Sequence, residues 1–233
     1  LVDLKTGDKK QILKDFEFPI YSVQFSADDS GFYFGTGFSS DPEWNGAGIT
    51  ELYYYDIATA KATKVDLDWE LGIGGGYTVA GNDVIVSLAN KATMKLAYYT
   101  KKGTSWSRSE MDFEDKNEHV SLNAIADDAS KIVYTYSTAS KLPQYFVADL
   151  KKNKVSNEKI FTALNKKLEK KYMPKSEIIT WTGYNGDEVT GILYYPNNYQ
   201  EGKKYPLMLN IHGGPSSQDT DEWSGSWAYY PSI

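Results

Sequence analysis

No cysteine occurs among the 233 residues. Disulfides, thiolate nucleophiles and cysteine-bound zinc are therefore excluded within the chain. Arg108 is the only arginine, so no cluster of arginines can clamp a phosphate or a carboxylate here. His119 and His212 are the only histidines, and no serine stands in a G-x-S-x-G elbow. A complete serine, histidine and acid triad cannot be assembled from these residues. No apolar run approaches the ~20 residues of a membrane-spanning helix. The formal charge of −6 disfavours nucleic acid or an anionic membrane surface as a partner. No signal peptide is visible at Leu1.

Aromatic residues are abundant, at 15% of the chain with 19 tyrosines. With frequent polar turns between them they favour sheet, with the tyrosines as packing residues. The sheet signal repeats. Val23–Phe34 reads as strand, Ala27-Asp28-Asp29-Ser30 turn, strand, and Leu122–Tyr134 has the same shape around Ala126-Asp127-Asp128-Ala129-Ser130. A weaker copy lies between them around Gly81-Asn82. A second repeating segment, an apolar strand before a polar turn, occurs at Leu52–Lys61, Leu96–Gly103 and Tyr145–Lys151, and opens the chain at Leu1–Gly7. The period is about 50 residues, within the range of β-propeller blades. The second segments read as the last strands of successive blades. The chain then begins at the tail of one blade and holds about three more. Paired aspartates at these tips suit turn hydrogen bonds better than calcium, since their spacing matches no EF-hand loop. Gly72-Ile73-Gly74-Gly75-Gly76 lacks the Lys-Ser/Thr of a phosphate loop and reads as a close backbone approach at a blade junction.

The pattern changes after Phe161. Thr162–Lys171 reads as a short amphipathic helix or a charged linker, and Pro174 places a domain boundary near residues 172–174. A hairpin follows, Ile178–Thr182 with Glu188–Tyr195, turning tightly at Asn185-Gly186. The apolar run Tyr205–Ile211 reads as a buried parallel strand that stops at the turn His212-Gly213-Gly214-Pro215.

A run of blades, then W…G…LYYP…KKYPL…HGGP, resembles the prolyl oligopeptidase family of serine peptidases, nearest its acylaminoacyl-peptidase and dipeptidyl-peptidase-like members. The resemblance is loose in the blades and tight from Glu177 to Pro215. It implies a mostly β chain: the C-terminal part of a β-propeller (1–172, about three blades), followed by the first strands of an α/β-hydrolase domain (173–233). The chain would then be internal to a larger enzyme, its triad lying beyond Ile233. The resemblance implies hydrolysis of short peptides without a cofactor or metal. It gives the Gly214 N–H to the oxyanion hole, with Gly213 forming the turn and Pro215 stiffening it. His212 stands where the dipeptidyl peptidase IV branch usually has tyrosine, which favours a backbone donor. In the family the catalytic histidine lies near the C-terminus, so His212 is expected to hold the loop by hydrogen bonding. His119 is expected on the surface of a blade loop. Asp219, Asp221 and Glu222 are expected at a helix N-terminus, where carboxylates favour the dipole; holding a substrate amine is the other reading. Two alternatives belong to other classes: a non-catalytic propeller module that binds peptides or a protein partner, and an α/β-hydrolase esterase. Oligomeric state and compartment stay open, with the composition leaning towards an exported, periplasmic bacterial enzyme.

Overall fold

Short apolar segments joined by polar turns satisfy their backbone groups most readily by pairing with the next segment along the chain. In a computed structural model of the chain they do so three times in succession. The structure describes all residues except 42, 44–47, 163, 165, 169–172, 215 and 224–233. The first sheet holds β1 (Ile20–Phe25), β2 (Gly31–Phe38), β3 (Ile49–Asp56) and β4 (Lys61–Lys64). The second holds β5 (Ile73–Ala80), β6 (Asp83–Asn90), β7 (Thr93–Lys102) and β8 (Ser105–Glu110). The third holds β9 (Val120–Ile125), β10 (Lys131–Thr138), β11 (Lys141–Lys151) and β12 (Lys154–Ile160). Each is an antiparallel meander in sequence order, the pattern of a propeller blade. Nearly all the regular structure is β, and a hairpin of β13 (Ser176–Thr182) and β14 (Glu188–Tyr194) follows the blades.

The segments expected as last strands are third strands. Each is followed by a fourth, and β4, β8 and β12 are short or polar (KATK, SWSRSE, KVSNEKI) and form one edge of their sheets. These edge strands pack little apolar surface, so they lack the signal that marks their neighbours. Leu1–Lys10 repeats the turn between third and fourth strands. Val2 bridges Lys9, and Asp3 accepts from the N–H groups of Lys5 and Thr6 as Asp56 does from Thr59.

The blades stack face to face. Along β6, Val84, Val86 and Leu88 pack against Tyr33, Leu52 and Tyr54 of the first blade, while Ile85 faces Ile132 and Tyr134 of the third. Both faces of this strand are buried, which explains its nearly unbroken apolar sequence. Tyr33, Tyr99 and Tyr134 are fully buried, so these tyrosines serve the core. Polar groups pin the blades in register. Gln24 gives its side-chain N–H to the Tyr77 carbonyl (3.0 Å) and accepts from the Val79 N–H (3.1 Å), standing in for a paired strand. Lys116 is buried in the β8–β9 connection, where Glu158 lies 2.8 Å from its ammonium. Burial alone would depress this lysine, but the hydrogen bond and charge of Glu158 outweigh it and hold the pKa above 10.5.

The acidic tips behave as expected. Asp28 and Asp128 accept from the N–H of Ser30 (3.0 Å) and Ser130 (2.9 Å), and each turn has a residue at positive φ, Asp29 or Ala129. Gly72 (φ 68°) lies at the junction of the first two blades. A Cβ there would come within 2.8 Å of the Thr50 carbonyl oxygen, so the glycine stretch serves close approach.

In a four-stranded meander successive turns alternate between two ends of the sheet. The Asp28, Asn82 and Asp128 tips share one end, where Ala27 donates to the Gly81 carbonyl. The β6–β7 and β10–β11 turns, and the start of β9, lie at the other.

Three expectations beyond the blades are corrected. Residues 166–168 form a turn rather than a helix, and much of the expected linker, including Tyr172, lies outside the described residues. The hairpin turn is wider than a two-residue Asn-Gly turn. Gly183 donates to the Asp187 carbonyl (2.7 Å), and of the two turn residues only Gly186 has positive φ (89°). Residues 205–211 belong to no strand, and Met208 and Leu209 are 90% and 73% exposed. A parallel strand needs neighbours on its edges and helices on its faces, and the described residues supply neither.

Candidate active site

The two glycines singled out in the sequence remain bare. His212, Gly213 and Gly214 are exposed, and His212 Nδ1 lies 2.9 Å from the Gly213 carbonyl oxygen, so its ring holds the adjoining backbone. A Cβ at Gly213 would meet nothing within 4 Å. Gly214 has φ 155°, and a Cβ there would come within 2.9 Å of the Ser217 nitrogen, because the chain folds back on itself at once. Only a residue without a side chain fits that bend unstrained. Pro215 lies outside the described residues. The turn thus presents exposed backbone with no side chain over Gly213. Among the described residues no group of three histidine or acidic side chains is placed to hold a metal.

Downstream of this turn the chain docks on the second and third blades. Gln218 donates to the Thr93 carbonyl (3.2 Å). Asp221 donates its backbone N–H to the Ala92 carbonyl in the β6–β7 turn (2.7 Å) and accepts from the Ala139 N–H in the β10–β11 turn (2.9 Å). Trp223 donates its N–H to the Ser137 hydroxyl (3.0 Å). His119, expected on the surface, is tucked against this segment. Its Nδ1 lies 3.3 Å from the Asp221 carbonyl oxygen and 3.6 Å from its carboxylate, and the two side chains are 21% and 11% exposed. The expected helix N-terminus at Asp219, Asp221 and Glu222 is therefore corrected at Asp221, whose carboxylate is engaged by the blades; residues 224–233 lie outside the described residues. The hairpin is tied to the same end. Ser140 Oγ meets the Pro174 carbonyl (2.7 Å) and Ser176 Oγ (2.6 Å), and Lys91 pairs with Glu188.

The structure leaves the two histidines in separate roles: His212 faces its own backbone and His119 faces Asp221. Sequence reasoning missed the second contact. His119 and Asp221 are 102 positions apart and neither lies in a recognisable motif.

No family model matches the chain. Curated proteins do match. The chain is similar to a probable dipeptidyl-peptidase 5 of Aspergillus niger, 25% identical over 177 residues, which is 76% of this chain and 24% of that protein. A shorter match, 44% identical over 43 residues, joins 18% of this chain to 6% of the probable dipeptidyl-peptidase 5 of Aspergillus terreus. The venom dipeptidyl peptidase 4 of Vespula vulgaris is 26% identical over 119 residues, 46% of this chain and 15% of that protein. These relatives are named dipeptidyl-peptidases. Among solved structures, the AtxE2 isopeptidase with Astexin3-dC4 bound superposes with a TM-score of 0.55 at 17% identity, over 95% of this chain and 32% of that one. That likeness concerns the fold, which it joins to the three blades. The chain spans a quarter or less of the curated relatives it matches.

Proposed function

We propose that this chain is part of a serine peptidase of the prolyl oligopeptidase type, in the acylaminoacyl-peptidase and dipeptidyl-peptidase-like branch, acting on short peptides. Residues 1–172 supply about three propeller blades, and residues 173–233 begin the α/β-hydrolase domain. The observation that carries this reading is the bare glycine turn His212-Gly213-Gly214, placed after blade-like sheets in a chain whose curated relatives are named dipeptidyl-peptidases.

The nucleophilic serine, its histidine base and the orienting acid lie outside these 233 residues. When the serine oxygen attacks the scissile carbonyl, the carbonyl oxygen gains negative charge. The Gly214 N–H donates to that oxygen, and a second donor follows the serine. Gly213 leaves the approach open, and His212 fixes the backbone beside it. One such donor stabilises the transition state by roughly 2.7–4 kcal/mol. No cofactor takes part. The propeller narrows access, which restricts the enzyme to short peptides.

The test uses the intact protein to which the chain belongs, treated with a fluorophosphonate probe and then offered amino-terminal dipeptide and aminoacyl substrates. One probe per polypeptide with peptide turnover is the expected result. Residues 1–233 alone should take up no probe and hydrolyse nothing. An intact protein that binds peptides but is neither labelled nor active would replace this reading with a non-catalytic binding module.

A further inference from the structure

Among the described residues downstream of the glycine turn, Asp221 is the most heavily committed. Its N–H goes to the second blade, its carboxylate receives an N–H from the third, and His119 packs against both its carbonyl and its carboxylate. A carboxylate so little exposed loses hydration, and it persists in such a place only where donors replace the water. A surface loop with no geometric duty would leave the same carboxylate in solvent.

The anchored segment begins close to the oxyanion turn. Gly214 precedes Gln218 by four residues, so the two lie within ~14 Å of each other even if the chain is fully extended. The fold-back at Ser217 shortens that reach. Where Gly214 sits is therefore limited by where Gln218 and Asp221 are held.

We propose that Asp221 is a positioning residue: by binding the segment 218–223 to the ends of the second and third blades, it holds the Gly214 N–H where the oxyanion forms. The inference rests on the peptidase reading above and deepens it. The propeller then shapes the catalytic geometry as well as access to it. In this role Asp221, whose carboxylate is taken up by Ala139 and faced by His119, acts through the backbone between it and Gly214. Misplacing a catalytic group by about 1 Å costs on the order of 100-fold in rate. The loss falls on kcat, because the oxyanion exists only in the transition state.

The experiment compares the intact enzyme with Asp221→Ala and Asp221→Asn, counting active sites by fluorophosphonate titration and normalising kcat to them. Asp221→Ala should lower kcat per titrated site roughly 100-fold with KM changed less than about two-fold. Inhibition by a peptide boronate, whose tetrahedral adduct uses the same donor, should weaken in parallel. Asp221→Asn keeps an oxygen for the Ala139 N–H and should recover most of the loss. A fall in titratable sites with unchanged kcat per site, in either variant, would reduce Asp221 to a fold-stabilising role and overturn the proposal. So would an unchanged kcat with unchanged boronate inhibition. An unsubstituted enzyme with neither label nor turnover would instead overturn the peptidase reading itself.

Discussion

β6 and residues 205–211 are both rich in aliphatic side chains, yet they end in opposite environments. β6 is buried on both faces, whereas Leu207, Met208, Leu209 and Ile211 stand in solvent. Apolar content does not separate them; the source of their partners does. β6 pairs with β5 and β7, each a short turn away, so closing its ladder costs little loop entropy. A parallel strand has no such neighbour and forms only when distant segments arrive. A blade is therefore a local object that a few dozen residues complete, while residues 205–211 pair with no strand among the described residues.

The largest test of this contrast is a pair of truncations in the 233-residue chain, followed by urea unfolding. Leu88→Ala, at a fully buried position, should cost about 2–5 kcal/mol. Leu209→Ala should change stability by no more than about 0.5 kcal/mol. Equal costs would mean that residues 205–211 are packed in solution and would end the comparison.

A smaller effect is expected at Lys116. Breaking a fully buried ion pair can cost about 3–5 kcal/mol, but here Asp115 also lies 3.5 Å from the Lys116 ammonium and stays when Glu158 is neutralised. Glu158 is 32% exposed, so Glu158→Gln should cost less, about 1–3 kcal/mol at pH 7. Because Lys116 is held above its ordinary value of 10.5, the pair stabilises the fold fully below that pH. The contribution disappears as pH rises through the folded pKa. A difference between wild type and Glu158→Gln that persists undiminished into strong alkali would show that charge is not its source.

The smallest effect belongs to the blade tips. Asp28 is lowered to about 2 by the hydroxyl and N–H of Ser30 and the hydroxyl of Ser26. A depressed carboxylate stabilises above its unfolded value of 3.8, and the stabilisation is lost as pH falls through about 2. The group is exposed, so solvent screening limits the benefit to a few tenths of a kcal/mol. Asp28→Asn should flatten the stability profile between about pH 4 and pH 2 and leave it otherwise unchanged. A loss above 1 kcal/mol at neutral pH would show that the tip is a structural anchor rather than an ordinary turn.

The blades were legible because their information is local. Short apolar and aromatic runs marked β2, β6 and β10, and the Ala-Asp-Asp tips marked the hairpins between first and second strands of the first and third blades. The fourth strands were not legible, since Lys61–Lys64 and Lys154–Ile160 pair through backbone groups and carry almost no apolar pattern. At the site, the glycine turn could be read because sterics force glycine at Gly214. The engagement of Asp221 by Ala92, Ala139 and His119 could not. It joins three separate stretches of chain, uses two backbone groups that any residue would offer, and appears only once the second and third blades are stacked.

The alternation of turns gives the stacked sheets two ends with different tolerance to engineering. Among the described residues after Pro174, the hydrogen bonds to the blades lie at the end carrying Ala92 and Ala139, so the opposite end is the better place for additions. Of the tips there, the first is tied to its neighbour through Asp28 and Asn82, but the hairpin Ala126–Ser130 makes its bonds within its own blade. A fluorophore or a short inserted sequence at Asp127 would ride on the third blade and report on its opening without entering the docking surface.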